Sequence, residues 1–157
     1  IRFETTNRGD TPLPYDAGHH FYIAIPHLER AEWTLHVPCV SWGRQAQDGS
    51  IIEEEVKSDL VRLDDAALSD RFHIKPLGAK VTLLHQGNQR KLVFELKPPG
   101  TVLWYAITTW TQEADSDFYC VEPWLGLPNA IHHGQGLHRL PPGQTETATC
   151  ILDASGW

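Results

Sequence analysis

Methionine is absent from the 157 residues, and no window of the chain approaches 18 consecutive apolar residues. The second absence excludes a membrane-spanning helix, and the N-terminus lacks the basic-then-apolar layout of a signal peptide, so a cytoplasmic location is expected. Basic charge is scarce. Lys and Arg number 13 against 20 Asp and Glu, a net charge of −7, which argues against a protein that tracks the phosphates of nucleic acid. Cysteine is limited to Cys39, Cys120 and Cys150. Their wide spacing excludes a zinc ribbon and they cannot all pair, so reduced, mostly buried thiols are expected. Helical pattern is almost missing: only Asp64 to Ser69 reads as helical, with Asp64 or Asp65 able to cap a single turn.

What remains is a chain that is 41% hydrophobic and 10% aromatic, enough for a globular unit that buries roughly 70% of its unfolded surface. Eleven prolines and twelve glycines punctuate short runs rich in Val, Ile, Thr, Tyr, Phe and Trp, the habit of an all-β domain. The spacing predicts strands over Ile1 to Thr6, His19 to Ile25, Trp33 to Val37, Arg71 to Lys75, Ala79 to His85, Lys91 to Leu96, Val102 to Trp110, Phe118 to Glu122 and Glu146 to Leu152. Nine short strands suggest an antiparallel β-sandwich. Turn formers at Asn7-Arg8-Gly9-Asp10, Gln86-Gly87-Asn88-Gln89, Lys97-Pro98-Pro99-Gly100 and Pro141-Pro142-Gly143 predict hairpins between those strands. The acidic run Glu53-Glu54-Glu55 reads as a solvated strand edge or loop without catalytic weight. No repeat or linker divides the chain, which reads as one unit over 1–157.

Two segments hold the chemistry. In Asp16-Ala17-Gly18-His19-His20-Phe21-Tyr22-Ile23-Ala24-Ile25, strand alternation puts His20, Tyr22 and Ala24 on one side. His19, Phe21, Ile23 and Ile25 then share the other, more apolar side, which faces a core. In Asp117-Phe118-Tyr119-Cys120-Val121-Glu122-Pro123-Trp124, a carboxylate ends an apolar strand, and Pro123 is expected to stop ladder pairing and leave Glu122 at a rim. Taken singly, His20 is an ordinary strand histidine and Glu122 an exposed loop carboxylate. Together, near Trp124 and Tyr22, they suit a sugar-sized acid/base site, because His is protonated near neutrality while Glu stays ionised. Adjacent histidines such as His132 and His133 point oppositely, and no metal-ligand spacing recurs, so no metal is expected.

The run Asn7-Arg8-Gly9-Asp10-Thr11-Pro12-Leu13-Pro14, followed by Gly18-His19-His20-Phe21-Tyr22, resembles the aldose 1-epimerase (galactose mutarotase-like) family. Its usual pattern is an Asn-x-Gly-Asp turn, a Pro and then Gly-x-His-Pro-Tyr-Phe; Phe21 and Ile23 stand here for the usual proline and phenylalanine. Cys120-Val121-Glu122-Pro123-Trp124, Pro128-Asn129-Ala130 and Leu140-Pro141-Pro142-Gly143-Gln144 resemble its C-terminal signature. The resemblance implies a large antiparallel β-sandwich, of which this chain would be the C-terminal portion, consistent with the missing methionine and a start inside an apparent strand. It also implies an isomerase of the carbohydrate epimerase kind that interconverts the α and β anomers of a hexose. His20 would be the general acid and Glu122 the general base, with Asp70, Tyr22 and Trp124 binding substrate and no cofactor. An arginine and a second histidine of the family's N-terminal half have no counterpart, so the site would be incomplete here.

Two alternatives stay open. A hexose-6-phosphate 1-epimerase would add arginines around the phosphate, for which only Arg71 and Arg139 lie near the motifs, both expected on the surface. A non-catalytic carbohydrate-binding sandwich would stack Trp124, Trp42 and Tyr22 on sugar and use His20 only as a hydrogen-bonding group. In each case the partner is a small-molecule sugar, free hexose or hexose phosphate, rather than nucleic acid or a membrane.

Overall fold

Alternation of apolar and polar residues shapes the sheets: Val81, Leu83 and His85 are buried along one strand, and Leu92 and Phe94 along the next, with their neighbours turned outward. The computed structural model describes residues 1–157, the side chains of residues 155 and 156 excepted. In chain order the strands are β1 (Arg2–Thr6), β2 (Leu13–Tyr15), β3 (Tyr22–Ile23), β4 (Trp33–His36), β5 (Cys39–Gln45), β6 (Ile51–Glu54), β7 (Leu60–Arg62) and β8 (Arg71–Pro76). There follow β9 (Lys80–His85), β10 (Lys91–Glu95), β11 (Ala106–Trp110), β12 (Tyr119–Trp124), β13 (His138–Leu140), β14 (Thr145–Thr149) and β15 (Ile151–Gly156).

Two antiparallel sheets form the sandwich, one ordered β15-β10-β9-β4-β7 and the other β3-β12-β11-β8-β5-β6; β1 pairs with β14, and β13 with β2. Between the sheets lies a core that includes Trp33, Leu35, Leu83, Phe94, Trp42, Ile107, Tyr119 and Val121. The opposite face of the six-stranded sheet carries Phe72, Ile74 and Ala106, packed with Leu127 from the loop after β12. That outward face is where the candidate site lies. No helix is long and apolar enough to cross a membrane among the described residues.

The all-β antiparallel sandwich agrees with expectation, while several local features differ. The segment predicted as a strand from His19 to Ile25 pairs regularly only at β3, with an isolated bridge from Gly18 to Trp124. Strands β2, β6, β7 and β13 escape the pattern because edge pairing, rather than apolar run length, defines them, and β5, interior between β8 and β6, escapes it because Ser41, Gly43, Arg44 and Gln45 break its apolar run. Helical structure exceeds the single predicted turn: besides Ala66–Leu68, where the amide of Ala67 donates to Asp65 Oδ1 at 2.8 Å, there are a 3-10 helix at His27–Glu32 and a short α-helix, α1, at Ala130–His133.

Of the four turns predicted from sequence, that at Gln86–Gln89 closes a hairpin, between β9 and β10. The other three proline- and glycine-rich turns carry the chain from one sheet to another. Asn7 ties two of them together, since buried Asn7 Nδ2 donates to Thr11 O and Leu140 O at 2.8 and 2.9 Å, and Gly143 N donates to Asn7 O. The acidic run lies at the end of edge strand β6 with Glu53 and Glu55 exposed, while Glu54 is held between Arg44 Nε at 2.8 Å and Arg71 Nη1 at 2.7 Å. Arg71 is only 8% exposed, with its guanidinium against the ring of buried Trp42, which corrects its expected surface position.

Candidate active site

Strand register brings the two principal residues together. Gly18 bridges Trp124 and Tyr22 pairs with Cys120, so counting inward from both ends sets His20 directly opposite Glu122. His19 N donates to Pro123 O at 3.1 Å within that stretch. On β12, Cys120, Glu122 and Trp124 alternate onto the outward face, while Tyr119 and Val121 enter the core. Across β11 and β8, Glu122 stands beside Thr108 and Thr108 beside Phe72.

These side chains line a cavity of about 310 Å³ formed by Asp16, His20, Phe72, Thr108, Trp110, Glu122, Trp124 and Pro128. Its volume falls at the small end of the range for small-molecule sites, about 300–1,000 Å³. An adjoining cavity shares Phe72, Thr108 and Pro128 and adds Arg44, Gln45, Ser69 and Asp70. Asp70, exposed and left-handed at φ 48°, therefore borders the neighbouring groove rather than the space between His20 and Glu122.

Glu122 is 3% exposed and sits inside β12, which continues through Pro123 to Trp124. The expected rim position is thus replaced by a buried one; Pro123 pairs opposite Ile107 instead of ending the ladder. Glu122 Oε2 accepts a hydrogen bond from Trp124 Nε1 at 2.9 Å. Oε1 lies 2.9 Å from His20 Nε2, close but out of line, so it receives no aligned hydrogen bond. A buried carboxylate oxygen left this way has an unfilled place for a donor.

Dehydration governs the charges here. Burial pushes the Glu122 carboxyl up to about 7, against the opposing hydrogen bonds from Trp124 and Cys120. Burial also holds His20 below its ordinary value, with neighbouring His19 adding to the effect. Both shifts run toward the uncharged forms.

Aromatic packing fixes the histidine. Tyr22 stacks on His20 at 4.7 Å between ring centres, and Trp110 meets its other side edge-on at 5.2 Å. Tyr22 is 63% exposed and lies outside the cavity lining, so its ring is engaged with His20. Gly18 is required by close approach: a Cβ there would lie 2.1 Å from Trp124 Cδ2. Tyr15, just before Asp16, is held by its hydroxyl donating to Glu146 Oε2 at 2.6 Å, with His138 Nδ1 2.9 Å from the same oxygen.

Of the sequence candidates, His20, Glu122 and Trp124 converge on the cavity, Asp70 borders the adjoining one and Tyr22 backs the histidine. Trp42, considered as a sugar platform, is 2% exposed in the inner core and cannot reach a ligand. Trp110, Phe72, Thr108 and Asp16 also line the cavity, and no sequence motif singles them out. Trp110 was discoverable, since it opposes Cys120 across the β11–β12 pair, once that pairing is known.

No protein-family model and no curated protein matches the chain. Solved structures do. The Slr1438 protein of Synechocystis sp. PCC 6803 superposes with a TM-score of 0.74 at 20% identity, over 98% of this chain and 50% of that one. A galactose mutarotase-like protein of Clostridium acetobutylicum gives 0.73 at 12% identity, over 97% of this chain and 51% of that one. A Klebsiella pneumoniae protein provisionally called an aldose 1-epimerase gives 0.55 at 15% identity, over 99% and 43%. The fold is accordingly that of the galactose mutarotase-like β-sandwich, and the chain spans about half the length of the structures it matches.

Proposed function

We propose that the chain carries the acid/base centre of an aldose 1-epimerase, an isomerase that equilibrates the anomers of a hexose by opening and reclosing the ring. The supporting observation is the 2.9 Å approach of His20 Nε2 to Glu122 Oε1 within the cavity walled by Trp110 and Trp124. In a pyranose the C1 hydroxyl and the ring oxygen are bonded to the same carbon. An acid and a base serving both must therefore lie within a few Å of each other, each about 3 Å from its oxygen.

In the forward direction Glu122 takes the C1 hydroxyl proton while His20 donates one to the ring oxygen, and the C1–ring oxygen bond breaks to leave an aldehyde. Rotation about C1–C2 presents the other carbonyl face. Reclosure uses the same groups in reversed roles: His20 removes the C5 hydroxyl proton as that oxygen attacks C1, and Glu122 protonates the carbonyl oxygen. Because the roles exchange in every cycle, similar proton affinities serve better than a strong acid beside a strong base. The rise of Glu122 to about 7 supports such a role, since it brings a carboxyl into the range of an ordinary histidine.

Trp124 and Trp110 offer apolar faces for the C–H side of a sugar ring, while Asp70 is assigned to hydroxyl binding at the adjoining cavity. Tyr22 holds the His20 ring by stacking. No Lys or Arg lines the cavity at His20 and Glu122 among the described residues, and Arg44 in the adjoining one is paired with Glu54. That distribution favours a free hexose over a sugar phosphate. Saturation-transfer NMR on an anomeric mixture tests the reading: the protein accelerates exchange over buffer, whereas sugar binding at the buffer exchange rate would instead support a carbohydrate-binding module.

A further inference from the structure

Three potential metal-ligand atoms, from two segments distant in sequence, come close together. His20, Cys120 and Glu122 each offer one, and all three atoms lie within 4.8 Å of one another. Around a tetrahedral zinc ion, with bonds of about 2.0–2.3 Å, ligand atoms stand roughly 3.3–3.6 Å apart. The Glu122 side chain is 4% exposed, and its Oε1 has no hydrogen-bond partner although it faces His20. The imidazole is 38% exposed at the cavity mouth, leaving an approach for an ion and for water as a fourth ligand.

We propose that His20, Cys120 and Glu122 form a binding site for a thiophilic divalent cation of the Zn²⁺ class. Sulfur, nitrogen and carboxylate oxygen together select such an ion over Mg²⁺ or Ca²⁺, which take oxygen ligands. On binding, a Cys120 sulfur–metal bond replaces its S–H bond, and the proton leaves to solvent. Spacing rules in sequence do not reveal the set, because His20 lies 102 positions before Glu122 and only strand pairing joins them. An ion held here engages both His20 Nε2 and Glu122, so it excludes their acid/base use. This consequence, though not the binding itself, rests on the proposed epimerase function.

Titration of the full chain with Co²⁺, freed of chelator and with no sugar present, tests the site. One ion binds per chain with thiolate-to-cobalt charge-transfer absorption, and Zn²⁺ displaces it. Cys120→Ser abolishes the absorption while Cys150→Ser retains it. Glu122→Gln, which keeps the thiol, lowers affinity at least about tenfold, no less than the loss of an outer-shell partner. Absence of the charge-transfer band in the unmodified protein, its persistence in Cys120→Ser, or unchanged affinity in Glu122→Gln would overturn the site. Cobalt binding by a protein that, in its metal-free form, fails to speed mutarotation would leave this inference intact and defeat the epimerase reading instead.

Discussion

His20 stands directly opposite Glu122 across the Gly18–Ile23 segment and β12, with Nε2 and Oε1 2.9 Å apart. The relationship is set by backbone register, which places the two residues opposite each other. Trp124, two residues along, closes the arrangement by donating to the other carboxylate oxygen.

A shared proton gives a bell-shaped rate profile. With both groups protonated no base remains, and with both deprotonated no acid remains. Since burial raises Glu122 to about 7, the pair loses its last proton no lower than about pH 7, while the lowered His20 moves the acid limb down. kcat/KM measured against pH in the presence of a chelator gives a maximum between the limbs, with the alkaline midpoint at or above about 7. An alkaline midpoint near 5 would contradict the burial argument.

Trp124→Phe keeps an aromatic wall and removes the Nε1 donor. The Glu122 carboxylate loses a hydrogen bond of the charged kind, about 1.5–3 kcal/mol, so its proton affinity rises further. The alkaline limb moves upward and kcat falls on the order of tenfold or more, as pH profiles of the variant read directly.

Gly18→Ala places a methyl group where the Trp124 ring lies. Displacing the indole costs about 1–3 kcal/mol of stability and disrupts the donor to Glu122. A lowered melting temperature, together with activity loss exceeding that of Trp124→Phe, is the expected result; wild-type stability and activity would show that the close approach is absent.

Fold class was legible because buried alternation survives along strands such as β9 and β10. His20 and Glu122 were legible as residues, and His20 and Tyr22 do share a face, seen in their stacking. Their environment was not. Glu122 was expected at a rim because Pro123 cannot donate to a ladder, yet that proline sits in β12 where its carbonyl accepts from His19 and pairing continues. Trp42 and Arg71 show the same limit: side chains that look available in a string of letters face the inner core once the strand register is set. Trp110 and Thr108 join the cavity only through cross-strand neighbours, which local spacing does not encode.

His73 predicts acid sensitivity of the fold. It is fully buried, 3.3 Å from Thr109 Oγ1, and burial chiefly, then Arg71, lowers it to about 3. A histidine with a depressed folded value contributes stability above its unfolded value near 6.5, lost as pH falls toward the folded one. Between pH 7 and 5 the loss from this residue is about 2 kcal/mol. Denaturant unfolding of His73→Leu shows a decline over that interval smaller by this amount; an unchanged decline would mean that His73 charges without unfolding.

The central claim is that His20 and Glu122 act as acid and base on one sugar. Polarimetry of hexose anomer equilibration, with the unmodified protein beside His20→Ala and Glu122→Gln, tests it most directly. The account predicts catalysis by the unmodified protein and a loss of at least about 100-fold in each variant, with circular dichroism unchanged. Near-normal rates in either folded variant would contradict it.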